Sequence, residues 1–230
     1  VIDPLDLIYG ISQDDLVEKR TANLMQEGIA QKIEKKTRNQ FPKGIESYGT
    51  DALRMTFYSL ATHTKDISFE MGRLKGYRNF CTKIWNAARF IDLQVSKSNG
   101  LGKLESKDSP DLWIKEKLNE ASEKVNFYFE EYRFDLITQT IYDFIWNEFC
   151  DWYIEICKIR LSSSKYKASE KRSILKSLIC TLEETLRLAH PIMPFITEEL
   201  WQQFKSEHKN KSLSIMISEY PSSNTKRASK

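Results

Sequence analysis

The stretch FDLITQTIYDFIWNEFCDWYIEICKIRL, residues 134–161, contains the clearest structural signal in the chain. Its apolar residues recur at spacings of three and four, the period of one face of an α-helix. They are Ile137, Ile141, Phe144, Ile145, Phe149, Trp152, Ile156 and Ile159. The spacing predicts a single long amphipathic helix with a broad buried face, and such a helix needs other helices to cover it.

Further helical patterns surround this one, and together they predict an all-α bundle. Thr50 and Asp51 suit the N-cap of a helix that runs to residue 62. Other helices are predicted at about 70–93, 112–131, 174–190 and 195–206, joined by an extended link at 66–69 and by polar loops at 96–111 and 162–173. The partial alternation at 213–218 predicts one C-terminal strand. The predicted domains are a small mixed segment (1–57), a helical bundle (58–210), and a strand with a disordered tail (211–230).

Composition is typical of a soluble globular protein, with 40% hydrophobic and 29% charged residues among 230. No apolar run approaches the roughly 18 residues that a membrane span needs. The four cysteines form no CxxC or zinc-ligand spacing, which predicts reduced thiols, no metal site and a cytoplasmic location. The net charge of +3 is mild, but seven basic residues lie between Glu18 and Lys43: Lys19, Arg20, Lys32, Lys35, Lys36, Arg38 and Lys43.

The helix predicted at 70–93 carries a polar, basic stripe that ends in an aromatic ring. At 100° per residue, Phe80, Ile84, Ala87, Ala88 and Ile91 share the core side, whereas Lys75, Asn79, Lys83, Asn86 and Phe90 share another. Arg78 and Arg89 flank that stripe. Exposed aromatic rings beside Lys, Arg and Asn bind single-stranded bases. From periodicity alone, packing of Phe90 against a neighbouring helix is the favoured interpretation.

Three segments bear a close resemblance to valyl-tRNA synthetases. They are GIESYGTDALRMTFYSLATHTKDISFEMGRLKGYRNFCTKIWNAARF (44–90), FDLITQTIYDFIWNEFCDWYIEICK (134–158) and HPIMPFITEELW (190–201). The resemblance covers about residues 1–220. It implies the anticodon-binding helical bundle of that family, preceded by a connecting fold that leans on the tRNA stem. The N-terminal VIDP looks like the residues that follow the KMSKS loop.

This resemblance implies a function and a set of contact residues. Lys83 and Phe90 are expected to contact the anticodon loop, with Arg78, Asn79, Asn86 and Arg89 beside them. Where some members of the family carry a basic residue, this chain has Gly72, so a contact made there elsewhere is expected to shift or disappear. The expected partners are a tRNA for valine and an upstream catalytic domain. The complete enzyme would use ATP, magnesium and valine.

The catalytic signatures of the resembling family do not occur in these 230 residues. There is no HIGH-type motif, no KMSKS and no glycine-rich phosphate loop, so the chain alone is expected to be inactive and to need no cofactor. A fragment of a valine–tRNA ligase is the favoured interpretation. A freestanding tRNA-binding module and a helical protein-interaction domain remain the alternatives.

Other candidate residues have simpler interpretations beside the functional ones. Lys32, Lys35, Lys36, Arg38 and Lys43 would bind the tRNA backbone or form a solvated surface. The acidic stripe Glu148, Asp151 and Glu155 is expected to be solvated or to pair with basic residues of a neighbouring helix. His190 is expected to cap or pack before Pro191. The tryptophans at 85, 146, 152 and 201 are expected in the core.

Overall fold

Helices form wherever the apolar spacing predicts them. The computed structural model describes residues 2–22, 27–62, 69–98, 100–103, 105–204 and 212–222. Its helices are α1 (Pro4–Tyr9), α2 (Gln13–Thr21), α3 (Glu27–Gln40), α4 (Thr50–Leu60), α5 (Met71–Lys97), α6 (Ser109–Glu130), α7 (Phe134–Asp143), a π-helical segment (Phe144–Tyr153), α8 (Ile154–Ser162), α9 (Ala168–Ala189) and α10 (Pro194–Gln203). The all-α prediction is therefore confirmed. Most of the predicted link at 66–69, His63, His208 and the tail from residue 223 lie outside the described residues.

The helix predicted at 134–161 is present, but its middle ten residues are π-helical. A π-helix bonds residue i to residue i+5 and so places residues five apart on one face. The buried residues follow that spacing, with Phe144, Phe149 and Ile154 in one row and Ile145 and Cys150 in another. The prediction that Trp152 and Ile159 lie in the core was wrong, because the widened turn rotates them outward to 63% and 70% exposure.

Helix α5 runs parallel to the path formed by α7, the π segment and α8. Contacts between them advance together along both elements: the Phe80 ring lies 4.8 Å from Tyr142 and 6.4 Å from Trp146 between centroids. Further on, Lys83 reaches the π segment and Phe90 reaches α8. Helix α6 provides the antiparallel return, and the main core lies between these helices and α9.

A second, smaller hydrophobic cluster holds the N-terminal helices against α4 and α5. Its buried members include Leu7, Leu16, Phe41, Ile45 and Leu74. Residues 52 and 53 of α4 belong to this cluster, whereas residue 55 belongs to the main core. The predicted domain ranges 1–57 and 58–210 therefore divide within a helix that serves both clusters, and these ranges remain a prediction.

Helix α4 fixes the corner between α9 and α10. The Asp51 carboxylate accepts hydrogen bonds from the backbone N–H groups of Phe195 (3.3 Å) and Ile196 (2.7 Å), two donors in the first turn of α10. Arg54 donates to the carbonyl oxygens of Pro191 and Ile192, both at 3.0 Å. Asp51 was expected to help cap its own helix, but it stabilises the start of another, and Gly49 precedes α4 without a side-chain cap.

The strand predicted at 213–218 was wrong, because this segment contains a 3₁₀ turn (Ile215–Ile217). Ser214 caps the turn by accepting from the backbone N–H of Met216 at 3.1 Å. The Glu198 carboxylate accepts from Ser214 Oγ (2.8 Å) and from the Ile215 N–H (3.1 Å). These bonds tie the segment to α10, and within the described ranges no neighbouring strand pairs with it.

The stability of the bundle is expected to fall as the pH drops below 6.5, because of His190. Its Nδ1 lies 2.7 Å from Thr197 Oγ1, and burial lowers the pKa of His190 below its usual 6.5, although Glu198 opposes the shift. The unfolded chain then binds more protons than the folded one below that pH. We expect the free energy of unfolding, measured by urea denaturation, to fall between pH 7.5 and 5.5. The His190→Gln variant should lack this pH-dependent part of the free energy of unfolding. If the wild type and the variant lose equal stability between pH 7.5 and 5.5, the prediction is contradicted.

Candidate nucleic-acid interface

Lys83 lies folded over a tryptophan ring rather than extended into solvent. Its Nζ is 3.7 Å from the Trp146 ring centroid and 2.5 Å from Asp151 Oδ1, and its side chain is 24% exposed. The parallel packing of α5 against the π segment brings these three residues together. An ammonium group over an indole face is attracted by the ring quadrupole, so the lysine is held in place at the surface.

Phe90 lies seven residues further along α5, at the border between core and solvent. Its ring packs on the core edge, and Lys158 Nζ of α8 lies 5.3 Å from the ring centroid. Lys158 is also paired with Glu155 at 2.6 Å. Lys83, Trp146, Asp151, Phe90 and Lys158 thus follow one another along the surface where α5 meets its parallel neighbour, hereafter the α5–α8 groove. Phe90 is half-buried, which is compatible with packing and with stacking.

The other predicted α5 residues divide into two groups. Asn79, Asn86 and Arg89 are exposed on the outer face of the helix. Arg78 is exposed but turns to the N-terminal cluster, where its Nη1 pairs with Glu46 Oε2 at 2.9 Å. At Gly72 an added Cβ would meet no atom within 4 Å, so the glycine leaves an open surface where a longer side chain would project.

Sequence periodicity did not predict three residues that lie in or beside the α5–α8 groove. Trp146 and Lys158 belong to the partner helix path, and no helical wheel of α5 alone can place them. Trp85 was expected in the core but is 37% exposed, on the same side of α5 as Arg78 and Arg89. Asp151 of the acidic stripe pairs with a lysine of a neighbouring helix, as predicted, whereas Glu155 pairs with Lys158 of its own helix.

A second basic surface lies on the N-terminal helices. Arg20 of α2 and Lys32, Lys35, Lys36, Asn39 and Gln40 of α3 line an open groove of about 600 Å³. None of these residues is acidic, so the groove concentrates positive charge. The predicted backbone contact Arg38 points elsewhere and pairs with Asp14 (2.8 Å) and Glu34 (2.9 Å). Lys43 is exposed beyond the end of α3.

These surfaces present cationic and amide side chains to solvent. Among the described residues, no group of three or more His, Cys, Asp or Glu side chains could hold a metal ion. Within the same ranges, no helix is long and apolar enough to cross a membrane. Ammonium and guanidinium groups, amides and the rings of Trp85 and Phe90 are at least partly exposed along α5, a set suited to phosphates and bases.

Residues 111–230 match a family described as the anticodon-binding domain of tRNA ligase. Curated relatives extend the similarity over nearly the whole chain. The valine–tRNA ligase of Legionella pneumophila (strain Lens) is 46% identical over 226 residues, and that of Coxiella burnetii is 48% identical over 225 residues. Each alignment covers 97% of this chain and 24% of the relative, so the chain spans about a quarter of these proteins' length.

A solved structure shares the fold at low sequence identity. It is the crystal structure of the ternary complex of Agrobacterium radiobacter K84 agnB2 LeuRS–tRNA–LeuAMS. The match has a TM-score of 0.50 and 19% identity, and it covers 77% of this chain and 20% of that one. It supports the helical architecture described above.

Proposed function

The chain belongs to the family of anticodon-binding domains of tRNA ligases, and we therefore propose that its α5–α8 groove binds the anticodon loop of a valine-accepting tRNA. The observation that carries the proposal is the arrangement of an aromatic ring and two ammonium groups along the groove. A half-buried aromatic ring, Phe90, follows Lys83 by seven residues on α5 and has the Lys158 ammonium group of α8 5.3 Å from its centroid. Neighbouring side chains hold both lysines in place. Single-stranded RNA is recognised by such combinations of ring and cation.

Each residue of the groove has a role that follows from its position. Phe90 would stack a base of the loop, a contact typically worth ~1–3 kcal/mol. Lys83 would exchange Asp151 for an RNA phosphate or base oxygen, and Trp146 would keep its ammonium group at the surface. Asn79, Asn86 and Arg89 face solvent, where they would reach base edges and phosphates. Arg78, paired with Glu46, would add positive potential.

The groove on α2 and α3 would contact the tRNA backbone outside the anticodon. Arg20, Lys32, Lys35 and Lys36 present cations without an acidic neighbour among the lining residues. Phosphate contacts of this kind fix orientation and carry no sequence information. Arg38 is already used in ion pairs, so we assign the contact to the three lysines and Arg20 instead.

The complete protein would be a cytoplasmic valine–tRNA ligase, of which this chain forms the anticodon-recognition part. Its relatives are ligases, but this chain aligns with only a quarter of their length. In this proposal ATP, magnesium and valine bind to a catalytic domain upstream. The bundle would hold the anticodon arm in one register, so that the acceptor end reaches that domain.

Replacing Phe90 tests the proposal directly. We expect Phe90→Ala to weaken binding of a tRNA with a valine anticodon by roughly 5- to 150-fold, because a stacking contact is lost. The wild-type chain should prefer this tRNA over the same tRNA with only the middle anticodon base changed. Fluorescence titration of both tRNAs against both proteins measures the two effects.

Two controls separate stacking from packing. Phe127, 56% exposed on α6, gives a matched Phe→Ala variant that should leave affinity unchanged. Phe90→Leu keeps most of the buried volume but removes the ring, so it should lose affinity while retaining the melting temperature. If both tRNAs bind equally and Phe90→Ala is silent, the groove does not read the anticodon.

A further inference from the structure

A cavity of about 290 Å³ opens at the end of the α5–α8 groove. It lies where the C-terminal ends of α5 and α8 meet the first turns of α9. Its floor is apolar and its rim is cationic. The residues that matter for its chemistry are Leu161 and Leu175 in the floor, and Gln94, Lys97, Lys171 and Arg172 at the rim.

The cavity is held in shape by the segment that follows α5. The Gly102 N–H donates to the Arg172 carbonyl oxygen at 3.0 Å, and the Ser106 N–H donates to the Ser173 carbonyl oxygen at 3.3 Å. A Cβ at Gly102 would lie 2.9 Å from Ser173 backbone atoms, so only glycine permits this approach. The segment therefore fixes the end of α5 opposite the start of α9.

The positive charge of the cavity has no internal counter-charge. None of the residues that line it is acidic, and in the described part of the chain no ion pair joins Lys97, Lys171 or Arg172 to a carboxylate. Glu170, in the first turn of α9, instead accepts a hydrogen bond from the Lys167 backbone N–H at 2.6 Å. Three cations around an apolar floor suit a ligand that combines an anion with a flat, weakly polar body.

The cavity continues the line of the groove. Gln94 follows Phe90 by one turn of α5, about 6 Å along the helix axis. On α8, Leu161 follows Lys158 by three residues, so both walls of the groove lead into the cavity. A chain that crossed Phe90 along the groove would reach these cations next.

We propose that this cavity binds the RNA nucleotide adjacent to the one stacked on Phe90. Its phosphate would lie between Lys171 and Arg172, since guanidinium groups bind phosphate oxygens in pairs. Its sugar and base would rest on Leu161 and Leu175, within reach of the Gln94 amide. The inference depends on the proposed function, because it needs an RNA strand in the α5–α8 groove.

The test is the double variant Lys171→Ala/Arg172→Ala, titrated with the valine-anticodon tRNA and with its middle-base variant at several salt concentrations. We expect about tenfold weaker binding, equal for both tRNAs, because phosphate contacts are blind to sequence. The slope of log affinity against log salt should become shallower by roughly 1.4, or about 0.7 for each lost contact to a single strand.

The matched control is Lys165→Ala/Lys167→Ala, which removes the same charge from exposed residues that lie just before α9 and outside the cavity. It should retain most of the affinity and slope, and thermal melting should show both variants folded. Suppose that the wild type prefers the valine anticodon, and that Lys171→Ala/Arg172→Ala has the same affinity and salt slope as the wild type. The cavity inference then fails, whereas the proposed function stands. Equal losses in the two variants would also overturn the cavity inference, since charge rather than the cavity would then matter. If the wild type shows no preference, the proposed function itself fails.

Discussion

Replacing Arg160 by alanine is expected to lower the free energy of unfolding by about 3–5 kcal/mol, because it leaves a buried carboxylate without its partner. Arg160 Nη2 donates to Asp111 Oδ2 at 2.8 Å and to Asp108 Oδ2 at 2.6 Å. The Asp111 side chain is fully buried and also accepts from the Tyr153 hydroxyl at 2.7 Å. Burial alone would lower the pKa of Arg160, but Asp111 and Asp108 raise it above its usual value.

Urea denaturation of Arg160→Ala measures this loss, and two further variants make it specific. Arg89→Ala removes an exposed arginine from α5 and should change stability by no more than about 0.5 kcal/mol. Arg160→Met combined with Asp111→Leu removes both charges and should recover much of the stability, since replacing a buried pair by apolar residues is often neutral. A loss no larger than that of Arg89→Ala would show that the buried pair does not stabilise the bundle.

Replacing Trp201 by alanine is expected to lower the free energy of unfolding by about 3–5 kcal/mol, the usual range for truncating a fully buried large aromatic residue. Trp201 of α10 is 0% exposed, whereas Trp152 of the π segment is 63% exposed. The identical substitution at Trp152 should therefore cost no more than about 1 kcal/mol. Chemical denaturation of the two variants compares them directly, and equal losses would place Trp152 in the core after all.

The same two tryptophans show what the sequence can and cannot predict about this fold. Both lie in apolar patterns of period three to four, so both were predicted to be buried. Trp201 follows Pro194 in a regular α-helix, where that period holds. Trp152 lies in FIWNEFCDWY, which has no glycine or proline to mark a change of hydrogen bonding. Only the packed structure shows that the buried face there repeats every five residues.

Helix ends were predicted to different accuracy for a physical reason. The helix predicted at 134–161 ends at Ser162, close to expectation. Helix α9 starts at Ala168, six residues earlier than predicted. The prediction missed this start because the first turns are polar and show no apolar periodicity. A backbone bond to Glu170 supports this start, a local signal that hydrophobic periodicity does not register.

The candidate site was predicted in part. The α5 stripe follows from 100° geometry, so Lys83 and Phe90 could be singled out from one helix. Their partners Trp146, Asp151 and Lys158 depend on which helix packs beside α5 and in which direction. That information lies in contacts between residues about 70 positions apart, and no local pattern encodes it.

Because α5 packs in parallel against the 134–162 helix path, the two walls of the groove come from parts of the chain that are synthesised at different times. Contacts between distant residues form late, because a long loop must close before they can stabilise anything. During synthesis, Phe90 emerges well before Lys158, so the growing chain carries the basic stripe without its second wall. An isolated peptide of residues 71–97 would be in the same state. If the groove binds RNA as proposed, its selectivity should therefore arise only after the 134–162 helix path has docked against α5, so tRNA binding would wait until the bundle is complete.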